Sequence, residues 1–292
     1  MLERITFSCK SAGLTDTAFR ATFAGLKAVE EGQLKESPLR IKAPGGVALA
    51  AVLHLPEVPS GRGAVICHGM MSYKDSPKHR GIAERLCARG HTVLRFDFSG
   101  RGESDGDLTG MTISRQVEEA GAAVEALLEK RVSGIGLIGS SMGGAVAILT
   151  TARRGKRYGI QALATMAAVG RADLLPERAV GTKGLAAWER RGSIEVEGEP
   201  VGYSLVEDTR KIDLPEEAKD IACPWLILHG ERDEVIPVED ARLLHSASGG
   251  RAGLEIVPGA DHRFSEEVHR EHITSRIVDF IDENLGSEER EA

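Results

Sequence analysis

The chain has 292 residues, 41% of them hydrophobic, and a formal charge of -7 with no large basic block. That is enough apolar sequence to bury a full core, and the acidic balance excludes an electrostatic footprint for nucleic acid or an anionic membrane surface. No stretch has the uninterrupted apolar length of a membrane span, and the N-terminus lacks the charged segment and apolar core of a secretory signal, so a soluble cytoplasmic protein with small-molecule partners is expected.

Residues 1–36 read as a partly helical N-terminal extension, with Phe19, Phe23, Leu26 and Val29 at helical spacing after a capping Thr15. Such a stripe is read as core packing. An organelle leader is the alternative for this segment, and Glu3, Asp16, Glu30 and Glu31 argue against it. From about residue 38, short apolar runs alternate with helical patterns. The runs 47–55, 63–67, 91–98, 134–139, 162–168, 224–229 and 253–257 are expected as buried strands. Between two of them, Val117, Ala120, Val124 and Leu127 recur on one helical face with charges opposite. This alternation implies an α/β fold, a doubly wound, mostly parallel sheet with helices on both sides.

The sheet is expected to be built from 37–170 and 223–286, with a tail at 287–292. Residues 171–222 interrupt the rhythm as a long charged insertion with a hairpin around "SIEVEGEPVGYSL". A lid over a site is the favoured reading and a surface excursion the alternative. Trp188, Tyr203, Leu185 and Leu205 either line an apolar pocket or pack the insertion onto the body.

Two glycine motifs overlap in "GIGLIGSSMGG". Gly134, Gly136 and Gly139 spell G-x-G-x-x-G, and Gly139, Ser141 and Gly143 spell G-x-S-x-G. A dinucleotide turn needs its glycines between strand and helix and an acid about 20 residues on. Here the glycines lie inside the apolar run, and no Asp or Glu occurs between Met142 and Ala172. The second motif is the elbow of a serine hydrolase, and it fits: "GIGLI" supplies a strand, Ser141 the tip, and "MGGAVAILTTARR" the helix behind it.

A serine hydroxyl is a weak nucleophile that needs a histidine base and a carboxylate to orient that base. Asp233 follows a buried strand in "LILHGERDEVIP", and His262 follows the next in "LEIVPGADHRF", in the order Ser, Asp, His. Glu231, Glu234, Asp261 and Asp97 are rival acids; His68, His229 and His245 are rival bases, of which His68 and His229 precede strand-end glycines and read as structural. Met142, after the serine, and Met70, in "GAVICHGMMSYKD", are the expected backbone donors of an oxyanion hole.

Little else in the sequence carries chemistry. Cys9, Cys67, Cys87 and Cys223 are scattered without C-x-x-C spacing and read as free, mostly buried thiols. The close histidine pair His269 and His272 lacks the glutamate of a zinc helix and reads as a solvated face. No metal and no cofactor is expected.

The motifs "ICHGMMSYKDS", "LRFDFSGRGESDG", "IGSSMGG", "LHGERDEVIP" and "GADHRF", in this order, resemble the α/β-hydrolase superfamily, in particular its cinnamoyl or feruloyl esterase-like and monoacylglycerol-lipase-like serine hydrolases, over about residues 38–286. The resemblance implies Ser141 as nucleophile, Asp233 as acid, His262 as base, the Met70 and Met142 amides as oxyanion hole, and 171–222 as a cap shaping the pocket. It implies Arg101 and Glu103 as loop structure. A haloalkane dehalogenase of this fold would have a carboxylate at the elbow and a dienelactone hydrolase a cysteine, whereas this chain has Ser141. The expected activity is hydrolysis of a carboxylic ester of a small or medium-sized substrate. Amide, peptide or thioester hydrolysis, acyl transfer, and a silent binding protein of this fold are the alternatives. The oligomeric state is left open.

Overall fold

Each of the seven apolar runs becomes a strand of one sheet, being short, rich in apolar residues that pack on a pleated surface, and flanked by turn formers. The computed structural model describes residues 35–285. Its strands are β1 (Lys35–Lys42), β2 (Ala48–Leu55), β3 (Arg62–Cys67), β4 (Thr92–Phe96), β5 (Gly134–Ser140), β6 (Ile160–Met166), β7 (Ser193–Val196), β8 (Glu199–Gly202), β9 (Trp225–Gly230) and β10 (Gly253–Val257). Eight of them form a sheet in the order β1-β2-β4-β3-β5-β6-β9-β10. β2 runs antiparallel to β1 and β4, and the other pairings are parallel.

The helices are α1 (Pro77–Ala88), α2 (Ile113–Leu128), α3 (Met142–Tyr158), α4 (Leu175–Arg191), α5 (Ser204–Thr209), α6 (Leu214–Ala218), α7 (Val238–Ala247) and α8 (Glu267–Asn284). Two cores separate them by face. α1 and α8 bring Ile82, Leu86, Ile273 and Ile277 against Ile66, Ile138 and Leu228, while α2, α3 and α7 pack on the opposite face against Val65, Leu137 and Ile227. The stripe of α2 is buried as its periodicity requires, and Thr112 Oγ1 caps that helix by accepting from Arg115 N at 3.0 Å.

β1 lies outside the runs read from the sequence. It starts at Lys35, so Lys35 and Glu36 belong to the sheet rather than to the extension expected over 1–36. As an antiparallel edge strand it turns only Leu39 and Ile41 inward among charged residues and tolerates Pro38, so its apolar signal is weak. The expected helical character of the first 34 residues, and the tail at 287–292, lie outside the described residues.

The insertion between β6 and β9 contains α4, the β7–β8 hairpin, α5 and α6. Glu197 and Gly198 turn the hairpin with φ of 51° and 85°, the paired positive values of a two-residue hairpin turn. Trp188 is buried and donates its Nε1–H to Val201 O at 2.9 Å, and Leu205 is buried too. These two pack the insertion, while Leu185 and Tyr203 are half-buried. α4 is interrupted at Gly181, whose φ of 68° and ψ of 169° are not helical. Before that break, Arg178 reaches Asp240 on α7.

Candidate active site

β5 ends at Ser140, and α3 begins at Met142, leaving Ser141 alone at the turn with φ 55° and ψ -123°. That conformation is costly for a residue with a side chain, so the surroundings must impose it. They do so through close backbone contact. A Cβ on Gly139 would strike Gly143 O, and one on Gly143 would strike the carbonyls of Cys67 and His68. Ser141 N donates to Met166 O at 2.9 Å, which ties the turn to β6.

The carboxyl ends of the parallel strands bring the other expected residues to this turn. His262 Nε2 lies 3.1 Å from Ser141 Oγ, and its Nδ1 lies 2.8 Å from Asp233 Oδ2. The two loops that carry acid and imidazole are stitched together: Glu231 N donates to Val257 O at 3.0 Å and Arg232 N to Ala260 O at 2.9 Å. Asp233 Oδ1 accepts from Val235 N at 2.9 Å and Ile236 N at 2.7 Å. Burial alone would raise the Asp233 carboxyl, but its contacts with His229 and His262 outweigh burial and hold it well below the usual carboxylate range. It is therefore an anion at neutral pH. Hydroxyl, imidazole and carboxylate in series form the arrangement that can deprotonate a serine and stabilise the resulting imidazolium.

The rival acids are occupied elsewhere. Glu231 accepts from Gly259 N, Asp261 from Ser265 N, and Glu234 from His262 N at 3.5 Å. Asp97 accepts from both the backbone N and the Nζ of Lys74, at 2.7 and 2.9 Å. Of the rival bases, His68 accepts from Phe98 N at 2.9 Å through its Nε2. His229 has a contact that the sequence reading missed, 3.2 Å from Asp233 Oδ2.

Of the two expected oxyanion donors, one follows the serine directly and the other lies in the loop that packs on it. Met142 is the first residue of α3, where the amide is free and the helix dipole favours negative charge. On the other side, Gly69, which Met70 follows in the chain, approaches so closely that a Cβ there would lie 3.1 Å from Ser141 Cβ. Among the described residues neither the Met70 nor the Met142 N–H donates to a protein acceptor.

A buried polar network supports that loop. Lys74 is 4% exposed, and its Nζ contacts Asp97 at 2.9 Å, Glu103 at 2.6 Å and Asp75 at 3.1 Å. Burial pulls the Lys74 ammonium down, and its carboxylate partners raise it above its ordinary value. Arg101 donates to Met71 O at 3.1 Å and Ser72 O at 3.3 Å, directly after Met70. Arg101 and Glu103 thus serve the loop. The sequence carries no local signal for the buried site of Lys74, because Asp97 and Glu103 lie 23 and 29 residues away.

The model of the alpha/beta hydrolase family matches residues 64–272, from β3 into α8. The chain is an α/β hydrolase. Palmitoyl-protein thioesterase ABHD10, mitochondrial, from Pongo abelii is 24% identical to this hydrolase over 291 residues, which cover 94% of this chain and 93% of the relative. Est1E from Butyrivibrio proteoclasticus, solved with ferulic acid bound, superposes with a TM-score of 0.74 at 23% identity, covering 85% of this chain and 100% of that one. Alpha/beta hydrolase domain-containing protein 10 from mouse superposes with a TM-score of 0.67 at 23% identity, over 85% of this chain and 99% of that one. These likenesses show the fold. No described helix is long and apolar enough to cross a membrane.

Proposed function

We propose that the chain is a serine hydrolase that cleaves a carboxylic ester of a small or medium-sized substrate through an acyl-enzyme. The observation that carries this reading is the unbroken series from Ser141 Oγ to His262 at 3.1 Å and from His262 to Asp233 at 2.8 Å. Ser141 Oγ gives its proton to His262 Nε2 and attacks the carbonyl carbon. The carbonyl electron pair moves onto oxygen, where the Met70 and Met142 N–H groups receive the charge. Collapse breaks the bond to the leaving alkoxide, which takes the proton from His262, and the acyl group stays on Ser141. Water then repeats the sequence and releases the acid. Asp233 keeps the Nδ1 proton of His262 in place throughout.

A second reading, thioester hydrolysis, is supported by the thioesterase relative that aligns over 94% of the chain. It uses the same steps with a thiolate as leaving group. The insertion at 171–222 is proposed as the cap that selects the acyl or alcohol part. The proposed compartment is the cytoplasm, with the mitochondrion, as in the name of the Pongo abelii relative, as the alternative that cell fractionation decides.

The test is release of p-nitrophenol from esters of increasing acyl length, beside thiol release from matched acyl thioesters, for wild type and Ser141→Ala. Turnover in wild type and its loss in Ser141→Ala supports the nucleophile; activity surviving in Ser141→Ala overturns it. The ratio of the two substrate series separates ester from thioester. A wild type that turns over neither series and resists a fluorophosphonate probe overturns the enzyme reading in favour of a silent binding protein.

A further inference from the structure

His229 sits at the end of β9, in the run Trp225-Leu226-Ile227-Leu228, with its side chain 0% exposed. Its Nε2 lies 2.9 Å from Ile236 O and 3.2 Å from Asp233 Oδ2. A carbonyl oxygen can only accept, so Nε2 carries the ring proton. Nδ1 is buried with no partner among the described residues. An apolar side chain would fill the end of this strand without an orphaned nitrogen. The orphan is tolerated because of what the other nitrogen does.

That nitrogen touches the Asp233 turn at both ends. Ile236 donates its N–H to Asp233 Oδ1 at 2.7 Å and offers its carbonyl to His229. Asp233 Oδ2, the oxygen that faces His262, lies 3.2 Å from the same imidazole nitrogen. One buried ring therefore fixes both the backbone of the turn and the rotation of the carboxylate within it. We infer that His229 is a positioning residue for the proposed triad, setting the aim of Asp233 and sharing the charge of the oxygen that His262 uses. This rests on the serine-hydrolase reading above.

Two consequences distinguish positioning from mere packing. Without His229, Asp233 is freer to rotate and the imidazole loses its orientation, so kcat falls while KM stays close to wild type, because the ring is fully buried and touches the Asp233 turn rather than Ser141 or His262. The Nε2–H also draws negative charge on Oδ2 away from His262. Removing it leaves that charge to the imidazolium alone, and the acidic limb of kcat/KM moves to higher pH. The other charged groups around the pair are Glu234, which accepts from His262 N, Asp261 and Arg263 beside it in sequence, and Lys78 on α1, which interacts with Asp233, Asp261 and Arg263. All four remain in the variants below.

The experiment measures kcat and KM for a p-nitrophenyl ester across the pH range in wild type, His229→Leu and His229→Gln, with melting temperature and Ser141→Ala as controls. For His229→Leu the expected result is a kcat lower by about tenfold to a hundredfold, KM within about twofold, and an acidic limb raised by about half a unit. His229→Gln, whose amide can reach the two acceptors, restores most of both. A His229→Leu protein that melts earlier but keeps kcat and the pH profile overturns the proposal and leaves His229 as packing. Should His229→Leu fail to fold by circular dichroism, His229→Asn, whose amide stops short of both oxygens, is read by the same profile with the same two outcomes. Activity surviving in Ser141→Ala would instead sink the triad reading, whatever the His229 variants do.

Discussion

Arg178 of the insertion holds both carboxylate oxygens of Asp240 on the core, at 2.8 and 2.9 Å, and Asp240 is 2% exposed. The same carboxylate accepts from Gly170 N at 2.8 Å and Arg171 N at 3.0 Å, where the chain leaves β6. Arg178→Ala leaves a buried anion with two backbone donors and no counter-ion. It is expected to cost about 3 kcal/mol, seen as a lower urea midpoint, with new proteolytic cleavage inside 171–222. Arg178→Lys recovers less than half of that, because an ammonium cannot grip two oxygens at once. An unchanged midpoint and cleavage pattern in Arg178→Ala would show that the insertion is held by its apolar contacts alone.

Gly69→Ala tests the proposed oxyanion loop by crowding it against the Ser141 turn. The added Cβ would lie 3.1 Å from Ser141 Cβ and 3.3 Å from Ser140 O, so the loop must retreat by a few tenths of an ångström. Displacing one donor from a developing oxyanion is expected to lower kcat by about tenfold to a hundredfold, with the melting temperature within a few degrees of wild type. Full kcat in Gly69→Ala would remove Met70 from the proposed hole.

Asp233→Asn keeps the shape of the triad and reverses the hydrogen-bond logic at His262 Nδ1. The expected loss in kcat is about 10⁴-fold, read in single-turnover assays. Stability follows a separate rule. The folded carboxyl is held below its unfolded value, so its contribution is in place above about pH 4 and is lost only as pH falls below that range. The difference in melting temperature between wild type and Asp233→Asn therefore does not shrink from pH 8 to pH 5. A difference that shrinks across that window contradicts the assignment of the anion.

Four buried histidines make the fold sensitive to mild acid. Burial pushes His54 and His68 down to about 4, with Arg95 adding to the effect at His54, and burial also lowers His79 and His91. Their folded values lie below the unfolded one, so the unfolded chain binds more protons once the pH drops under about 6.5, and stability falls with it. That contribution is complete above the unfolded value and is lost down to about pH 4 for His54 and His68. Urea midpoints are expected to decline steadily between pH 7 and pH 4.5. His54→Gln removes one proton from the linkage and flattens the slope by up to about 1.4 kcal/mol per pH unit. Identical slopes for wild type and His54→Gln would contradict the burial argument.

What the sequence disclosed about this molecule was local, and what it hid was long-range. Ser141 was legible because a strand, a small-residue turn and a helix stand next to one another in the chain. Most of the seven runs were legible because strands buried on both faces read as unbroken apolar segments, and the edge strand β10 was legible through Leu254, Ile256 and Val257. β1 was not, since an edge strand with charges on its outer side lacks that pattern. His229 reads as a strand-end residue beside a glycine, and only the turn at Ile236, folded back upon it, gives the ring something to hold. Arg178 and Asp240 are 62 residues apart, and nothing near either residue announces the other. Trp188 and Leu205 were equally compatible with a pocket wall or with packing until their burial placed both inside the insertion.

The interruption of α4 at Gly181 divides the insertion by what each part is fastened to. Upstream, Arg178 is bolted to Asp240; downstream, Trp188 is fixed to the hairpin through Val201, and Asp208 and Ser204 tie that arm to Ser114 N and Thr109 O. Helical phase does not carry across a residue that lies outside the helix, so an arm that keeps the body contacts of Ser204 and Asp208 can be exchanged while the upstream anchor keeps its rotation. The protein thus contains a ready graft junction. A library of arms joined after Gly181 would test whether the insertion is the proposed cap and whether the proposed triad, carried at the ends of β5, β9 and β10, is left in place.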